Sequence, residues 1–322
     1  MSIAGTQVKQ GVYEFPLSDR RRDMTAWQSA KRFFYNPDTK EVMERPLKLW
    51  GYSLVFYLLF YSVLAAMFAI CMRMLYWRLE GKAPVYVLEE SLIGVNPGLG
   101  FRPMSYDVDE GSLIWYEAKN ESSVAHWVKA IDEFLLDYEP NQNKSIVLNR
   151  KPCSYDTIIP EGQVCDVKLS DFKNCTRENN YGYANSSPCI FIKLNRIFSW
   201  VPDFYTSEDV LPKEMPEQLK ALIKSPSNNG TKNIWISCEG EYEFDKEHIR
   251  TDFAYYPIQG FPSYYYPFVN SPGYLSPLVA VQINRPSTNV LINIECRAWA
   301  KNIHYHGGKD REGSIRFELL ID

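Results

Sequence analysis

Residues 49–72 read LWGYSLVFYLLFYSVLAAMFAICM, 24 residues without a charge between Lys48 and Arg73. As a helix this stretch would be about 36 Å long, and a bilayer core is crossed by about 20 apolar residues. It therefore predicts one membrane-spanning helix, with 48 residues before it and 250 after it. The first part is too short for an ordinary domain core, and the second is long enough for a sizeable one. The span is too long for the apolar region of a cleavable signal peptide, and mostly polar residues precede it. An uncleaved signal anchor with the N-terminus inside follows.

Direction comes from what lies on each side. Six of the seven cysteines, Cys153, Cys165, Cys175, Cys189, Cys238 and Cys296, follow the span, and Cys71 lies within it. All five Asn-x-Ser/Thr sequons, at Asn120, Asn143, Asn174, Asn185 and Asn229, also follow it. An even cysteine set with glycosylation acceptors on one side reads as an oxidising, luminal or extracellular face. The basic residues add little. Lys31, Arg32, Lys40, Arg45 and Lys48 precede the span, but Arg73, Arg78 and Lys82 follow it closely. The formal net charge of −4, with both signs interspersed, argues against a nucleic-acid partner.

Residues 1–48 are predicted to be a cytoplasmic tail. Arg20-Arg21-Arg22 and the aromatic-basic run from Trp27 to Tyr35 suit anionic lipid or a partner's surface, and equally suit a solvated tail. Within the span, Tyr52, Phe56 and Phe60 form one stripe, and Tyr57 and Tyr61 form its neighbour. Trp50, Tyr76 and Trp77 suit the membrane interfaces. Tyr57 and Tyr61 lie deeper, where a phenol hydroxyl requires a partner and water is scarce. Docking against other transmembrane helices is the reading, beside an aromatic-rich lipid-facing helix.

Residues 73–322 are predicted to form one extracellular, disulfide-bonded, glycosylated domain. Residues 73–122 read as loop, with turn signals at Asn96-Pro97-Gly98. Val124, Trp127, Val128, Ile131, Leu135 and Tyr138 fall on one stripe of a helix that Ser122 or Ser123 could cap. Residues 150–200 are cysteine-dense, and a short helix is expected over Glu214–Lys224. Alternating sets then predict strands: Ile234, Ile236, Cys238; Val290, Ile292, Ile294, Cys296, Ala298; and Ile315, Phe317, Leu319, Ile321. Cys238 and Cys296 both point inward, which suits an inter-sheet bridge in an immunoglobulin-like sandwich. Six cysteines allow fifteen pairings, and spacing does not choose among them.

Phe253 to Asn284 is a second charge-free run, of 32 residues. Pro257, Pro262, Pro267, Pro272 and Pro277 oppose helix and central strand, so part of it is expected to be extended surface loop. Its six tyrosines give it the composition of an interface core. The alternative is a loop packed on its own sandwich.

Catalytic chemistry is nearly absent. There is no P-loop, G-x-S-x-G, H-E-x-x-H or C-x-x-C. His304 and His306 could share a strand face as metal ligands, but no third ligand is evident. Asp107-Val108-Asp109 matches the D-x-D by which some glycosyltransferases hold a metal–nucleotide sugar, a pattern short enough to arise by chance. No cofactor is expected.

The chain resembles the β subunits of the Na+/K+-ATPase and H+/K+-ATPase family over nearly its whole length. The residues that carry this are Phe56-Tyr57, Phe60-Tyr61, Asn174-Cys175, Tyr181-Gly182-Tyr183, Pro188-Cys189-Ile190 and Ile192 to Arg196. Tyr255-Tyr256-Pro257, Tyr274-Leu275, Pro277-Leu278, Ala280-Val281-Gln282, Ile294-Glu295-Cys296 and Ala300 to Ile303 complete the series. The resemblance implies a non-catalytic accessory subunit of a P-type ATPase, paired with a catalytic α subunit whose folding, delivery to the plasma membrane and K+ affinity it serves. It implies the pairs Cys153–Cys165, Cys175–Cys189 and Cys238–Cys296, and an immunoglobulin-like sandwich with a long insertion. It also implies that Tyr57 and Tyr61 face the α subunit's membrane helices, and that Tyr255, Tyr256 and Pro257 meet its extracellular loop. Arg20–Arg22 match no family motif. A small third subunit is left open. A type II ectoenzyme such as a glycosyltransferase, or an adhesion or receptor ectodomain, are the alternatives.

Overall fold

The computed structural model describes residues 25–37, 39–43, 45–79, 81, 83–107, 111–139, 149–157, 159–160, 162–228, 230–249, 252–307 and 312–322. Arg20–Arg22, Asp109, Asn143 and Asn229 lie outside the described residues. The chain divides into two units, Met1–Gly81 and Lys82–Asp322.

In the first unit the charge-free stretch lies inside a longer helix. Helix α1, Ala26–Phe34, comes first. Gln28 Oε1 accepts from the Thr25 N–H at 3.3 Å, the return half of a capping box. The helix stops before Asn36-Pro37, because a residue preceding proline is pushed out of the α region. A hairpin follows, β1 (Glu41–Val42) against β2 (Arg45–Pro46). Helix α2 then runs Leu47–Leu79, 33 residues, none of them buried. It extends past the 49–72 window at both ends and includes Lys48, Arg73 and Arg78. Absence of charge marks the lipid-crossing part of a helix, whereas its flanking turns can carry basic side chains that reach the interface. At about 50 Å it exceeds a roughly 30 Å hydrocarbon core.

The second unit is built on two large sheets. In the five-stranded sheet the order is β10 (Gly260–Pro262), β8 (Asn233–Gly240), β12 (Ile292–Trp299), β13 (Ser314–Ile321), β4 (Leu113–Tyr116). All its pairings are antiparallel except β13 with β4. The other sheet is antiparallel, ordered β3 (Leu99–Arg102), β7 (Cys189–Leu194), β11 (Leu278–Gln282), β9 (Ala254–Tyr256). Ile190, Ile192, Val279 and Val281 share one core with Ile236, Ile294, Phe317 and Leu319, and Phe101 meets Phe317 with ring centroids 5.2 Å apart. A two-residue parallel pair, β5 (Arg150–Lys151) with β6 (Val164–Cys165), forms a small sheet of its own.

Helix α3, Glu121–Leu135, covers the opposite face of the four-stranded sheet. Phe134, Phe172 and Tyr181 surround Phe191 at 6.5, 5.4 and 5.9 Å. Trp127 Nε1 donates to the Trp115 carbonyl at 2.8 Å, and Tyr181 Oη to Asp132 at 2.7 Å. The cap of α3 is Asn120, whose Oδ1 accepts from the Ser122 N–H at 3.1 Å, in place of the predicted Ser122 or Ser123. An asparagine side chain caps as well as serine does, so the helix begins one turn earlier than its apolar stripe. The short helix expected at 214–224 is α4, Glu217–Ile223, and α5 spans Glu243–His248.

Two further expectations change. Residues 73–122 are not all loop: they contain β3 and β4. Cys238 and Cys296 do not bridge two sheets. They are directly opposed on the neighbouring strands β8 and β12, with Cα atoms 4.0 Å apart. Alternation places both inward but does not reveal whether their strands are neighbours. Phe253–Asn284 is loop only in part, as expected, with Pro267, Val269, Asn270 and Pro272 exposed. It contributes β9, β10 and β11, and Phe261, Val279, Ala280 and Val281 are fully buried. Much of its missing charge is core composition.

Candidate subunit interface

Positions i and i+4 lie one above the other on a helix, and α2 uses this twice side by side. Phe56 and Phe60 stack at 6.2 Å and 17°, and Tyr57 and Tyr61 stack at 6.2 Å and 25°. Edge-to-face contacts at 5.4 Å join Phe56 to Tyr57 and Phe60 to Tyr61. The result is a block of four rings, each at least half exposed. Mutual stacking restrains these rings before any partner arrives, which lowers the entropy cost of docking. In hydrocarbon a phenol hydroxyl gains more from a neighbouring helix than from lipid. The block can therefore both fill a helix–helix groove and donate two hydrogen bonds.

The second candidate surface is β9, an outer strand of its sheet. Tyr255 and Tyr256 pair with Val281 and Ala280. The two tyrosines divide their roles. Tyr255 Oη accepts from the Cys238 N–H at 2.9 Å, tying the edge of one sheet to β8 of the other, and burial raises its phenol pKa. Tyr256 is half-buried and Pro257 exposed. The ammonium of Lys173 lies over the Tyr256 ring at 5.6 Å, a cation–π arrangement. The Tyr256 hydroxyl lies 3.4 Å from Asn174 Nδ2 and 3.5 Å from Gln282 Oε1. Lys173, Asn174 and Gln282 were not visible as neighbours of Tyr256 from sequence. The outward surface is thus Tyr256, Pro257, Lys173 and Asn174, with Tyr255 behind it.

Asn174 is also a sequon. Asn120, Asn174 and Asn185 are all exposed. Asn120 combines its capping role with a bond from Nδ2 to Glu117 at 3.1 Å. In the Asn185 sequon the Ser187 hydroxyl is turned inward and accepts from the Arg285 N–H at 3.2 Å. The disulfides are Cys153–Cys165, Cys175–Cys189 and Cys238–Cys296. The Cys175–Cys189 bridge fixes the segment carrying Lys173 and Asn174 to the start of β7, two strands from β9.

The remaining chemical candidates have structural surroundings. Asn96 and His304 exchange backbone-to-side-chain hydrogen bonds at 2.8 and 3.0 Å, and His306 pairs with Glu312 in an isolated bridge. Among the described residues no three His, Cys, Asp or Glu side chains gather as metal ligands.

Comparison with known proteins points the same way over the same length. A family model described as the sodium/potassium ATPase beta chain matches residues 20–317. The sodium/potassium-transporting ATPase subunit beta-1 of Drosophila melanogaster is 42% identical over 314 residues, covering 97% of each chain. Subunit beta-2 of the same organism is 44% identical over 300 residues, covering 92% of each. Human subunit beta-2 is 28% identical over 310 residues, covering 91% of this chain and 93% of its own.

Proposed function

Because this chain belongs to the sodium/potassium ATPase beta-chain family, we propose that it pairs with a P-type ATPase α subunit and supports its folding, delivery to the plasma membrane and K+ affinity. The family is that of the pump's non-catalytic partner subunit. The observation that carries the proposal is the four-ring block on α2, which is restrained but uncovered. Residues 1–48 are the cytoplasmic part, residues 49–72 cross the bilayer, and residues 73–322 face the exterior. The cysteine and sequon partition supports that direction.

The mechanism is differential contact. An α subunit that alternates between conformations presents different surfaces to Tyr57, Tyr61, Tyr256 and Pro257. Contacts made better in one conformation favour that conformation by the difference in contact free energy. Ordinary coupling free energies correspond to about fivefold or more in apparent ligand affinity. Tyr57 and Tyr61 also give a newly made α subunit a helix to close against, which keeps its own polar groups from lipid. Tyr255 acts from behind, by holding β9 to the opposite sheet.

The test is co-expression with an α subunit, followed by purification in mild detergent. With Tyr57→Ala and Tyr61→Ala together, recovery of the α subunit falls several-fold, or the K+ activation midpoint of surviving pumps moves. Normal recovery with an unmoved midpoint would refute the assignment of the ring block.

A further inference from the structure

We propose that helix α1 is an interfacial anchor that lies along the bilayer surface and binds anionic lipid headgroups. It has nine residues. Ala26, Trp27, Ala30, Phe33 and Phe34 recur at i, i+1, i+4, i+7 and i+8, which places them on one side. Lys31 and Arg32 occupy the last turn, and the helix contains no acidic residue. Trp27 is 78% exposed and Phe34 63% exposed. A short helix with one aromatic face and basic flanks is the pattern of a helix that lies in a membrane interface.

Attachment distinguishes lipid from other occupants. The C-terminal end of α1 is joined by hydrogen bonds to the hairpin, and the hairpin to the start of the spanning helix. The Met43 N–H donates to the Phe34 carbonyl at 3.4 Å, and the Asn36 N–H to the Glu41 carbonyl at 2.9 Å. Trp50 Nε1 then donates to the Val42 carbonyl at 2.8 Å. Trp50 lies at the start of the charge-free segment, where tryptophan marks the edge of the hydrocarbon. The aromatic face of α1 is therefore held at the level of the interface. Its companion tyrosine, Tyr35, is also exposed. The excess positive charge is local to the helix, since the sequence that follows it contains Asp38, Glu41 and Glu44 beside Lys40 and Arg45. Lys31 and Arg32 are the two cations that the aromatic face brings to the headgroups. Each basic side chain that reaches an anionic surface contributes roughly fivefold in binding.

The experiment uses the full chain with Cys71→Ser and Phe34→Cys, labelled at position 34 with an environment-sensitive fluorophore. The chain is placed in phosphatidylcholine nanodiscs with or without phosphatidylserine, in the absence of any α subunit. Phosphatidylserine should blue-shift and protect the label, raising the ratio of embedded to free helix about fivefold or more. Added salt should reverse this in the chain with Lys31 and Arg32 intact, which avoids reliance on a further variant. Lys31→Glu with Arg32→Glu should abolish the phosphatidylserine effect. A label that stays in water in both lipids would overturn the proposal. So would embedding insensitive to salt and lipid charge, or protection that appears only when an α subunit is added.

Discussion

Tyrosine and phenylalanine serve opposite ends in the two units. On α2 the rings of Phe56, Tyr57, Phe60 and Tyr61 touch one another and are otherwise uncovered. In the ectodomain the same residue types turn inward. Phe191 and Phe261 are fully buried, Tyr265 donates to the Asp166 carbonyl at 2.8 Å, and Tyr255 accepts from β8. A charge-free, aromatic-rich run therefore has two meanings. Where the fold supplies the cover, the run is core; where it does not, the cover comes from lipid or from another protein. Periods of 3.6 and 2 do not separate the two meanings, and burial does.

The comparison breaks if the ectodomain rings prove dispensable. Phe261→Ala should cost about 3–5 kcal/mol, because a fully buried ring leaves a cavity; denaturant unfolding of the full chain in detergent measures this. Loss of the Cys238–Cys296 bridge, which closes a separation of 58 residues, should cost up to about 4 kcal/mol if unfolded-chain entropy dominates. The double Cys→Ala variant in the same assay checks it. Tyr255→Phe should cost about 1–3 kcal/mol, because the Cys238 N–H loses its acceptor. Tyr256→Phe is expected to cost less, since its hydroxyl contacts are long.

Alkali sharpens the same contrast. Burial raises the phenols of Tyr264 and Tyr274 to about 12, above the ordinary value of about 10. A phenol raised in the fold loses its proton more readily in the unfolded chain. Its contribution to stability is complete below pH of about 10 and declines as pH rises towards about 12. Tyrosinate absorbance with and without Tyr274→Phe should assign one late-titrating group to that residue. A step near the ordinary value would contradict its burial. The smallest expected effect belongs to Tyr57→Ala with Tyr61→Ala on the ectodomain's own unfolding, within about 0.5 kcal/mol. These rings lie exposed on α2, outside the core of that fold.

Legibility followed the same physics. Leu49–Met72 was plain because lipid demands an unbroken apolar run, and α3, β12 and β13 were plain because each has one dry face and one wetter face. β7 and β11 were harder to recognise. Each is covered on both sides, so Cys189–Leu194 and Leu278–Gln282 show no alternation. β3 and β4 are four residues each, too short for a period to show. At the candidate interface, Tyr57 and Tyr61 were readable because helical spacing is local. The union of Tyr256 with Lys173 and Asn174 was hidden, because it joins residues that only the fold brings together. Tyr255 and Tyr256 are neighbours in sequence and face different surroundings, which residue type alone does not disclose.

The position of β13 also bears on synthesis. It lies between β12 and β4, and its pairing with β4 joins Leu113 to Glu318, about two hundred residues apart. A ribosome delivers β4 early and its neighbour last. Until Ser314–Ile321 has emerged, β4 lacks its neighbour in the sheet, and Ile114 and Tyr116 lack much of their cover. The five-stranded sheet must therefore be completed after translation of the domain is nearly finished. That interval is when exposed strand edges invite mispairing, and when chaperones have the most to protect.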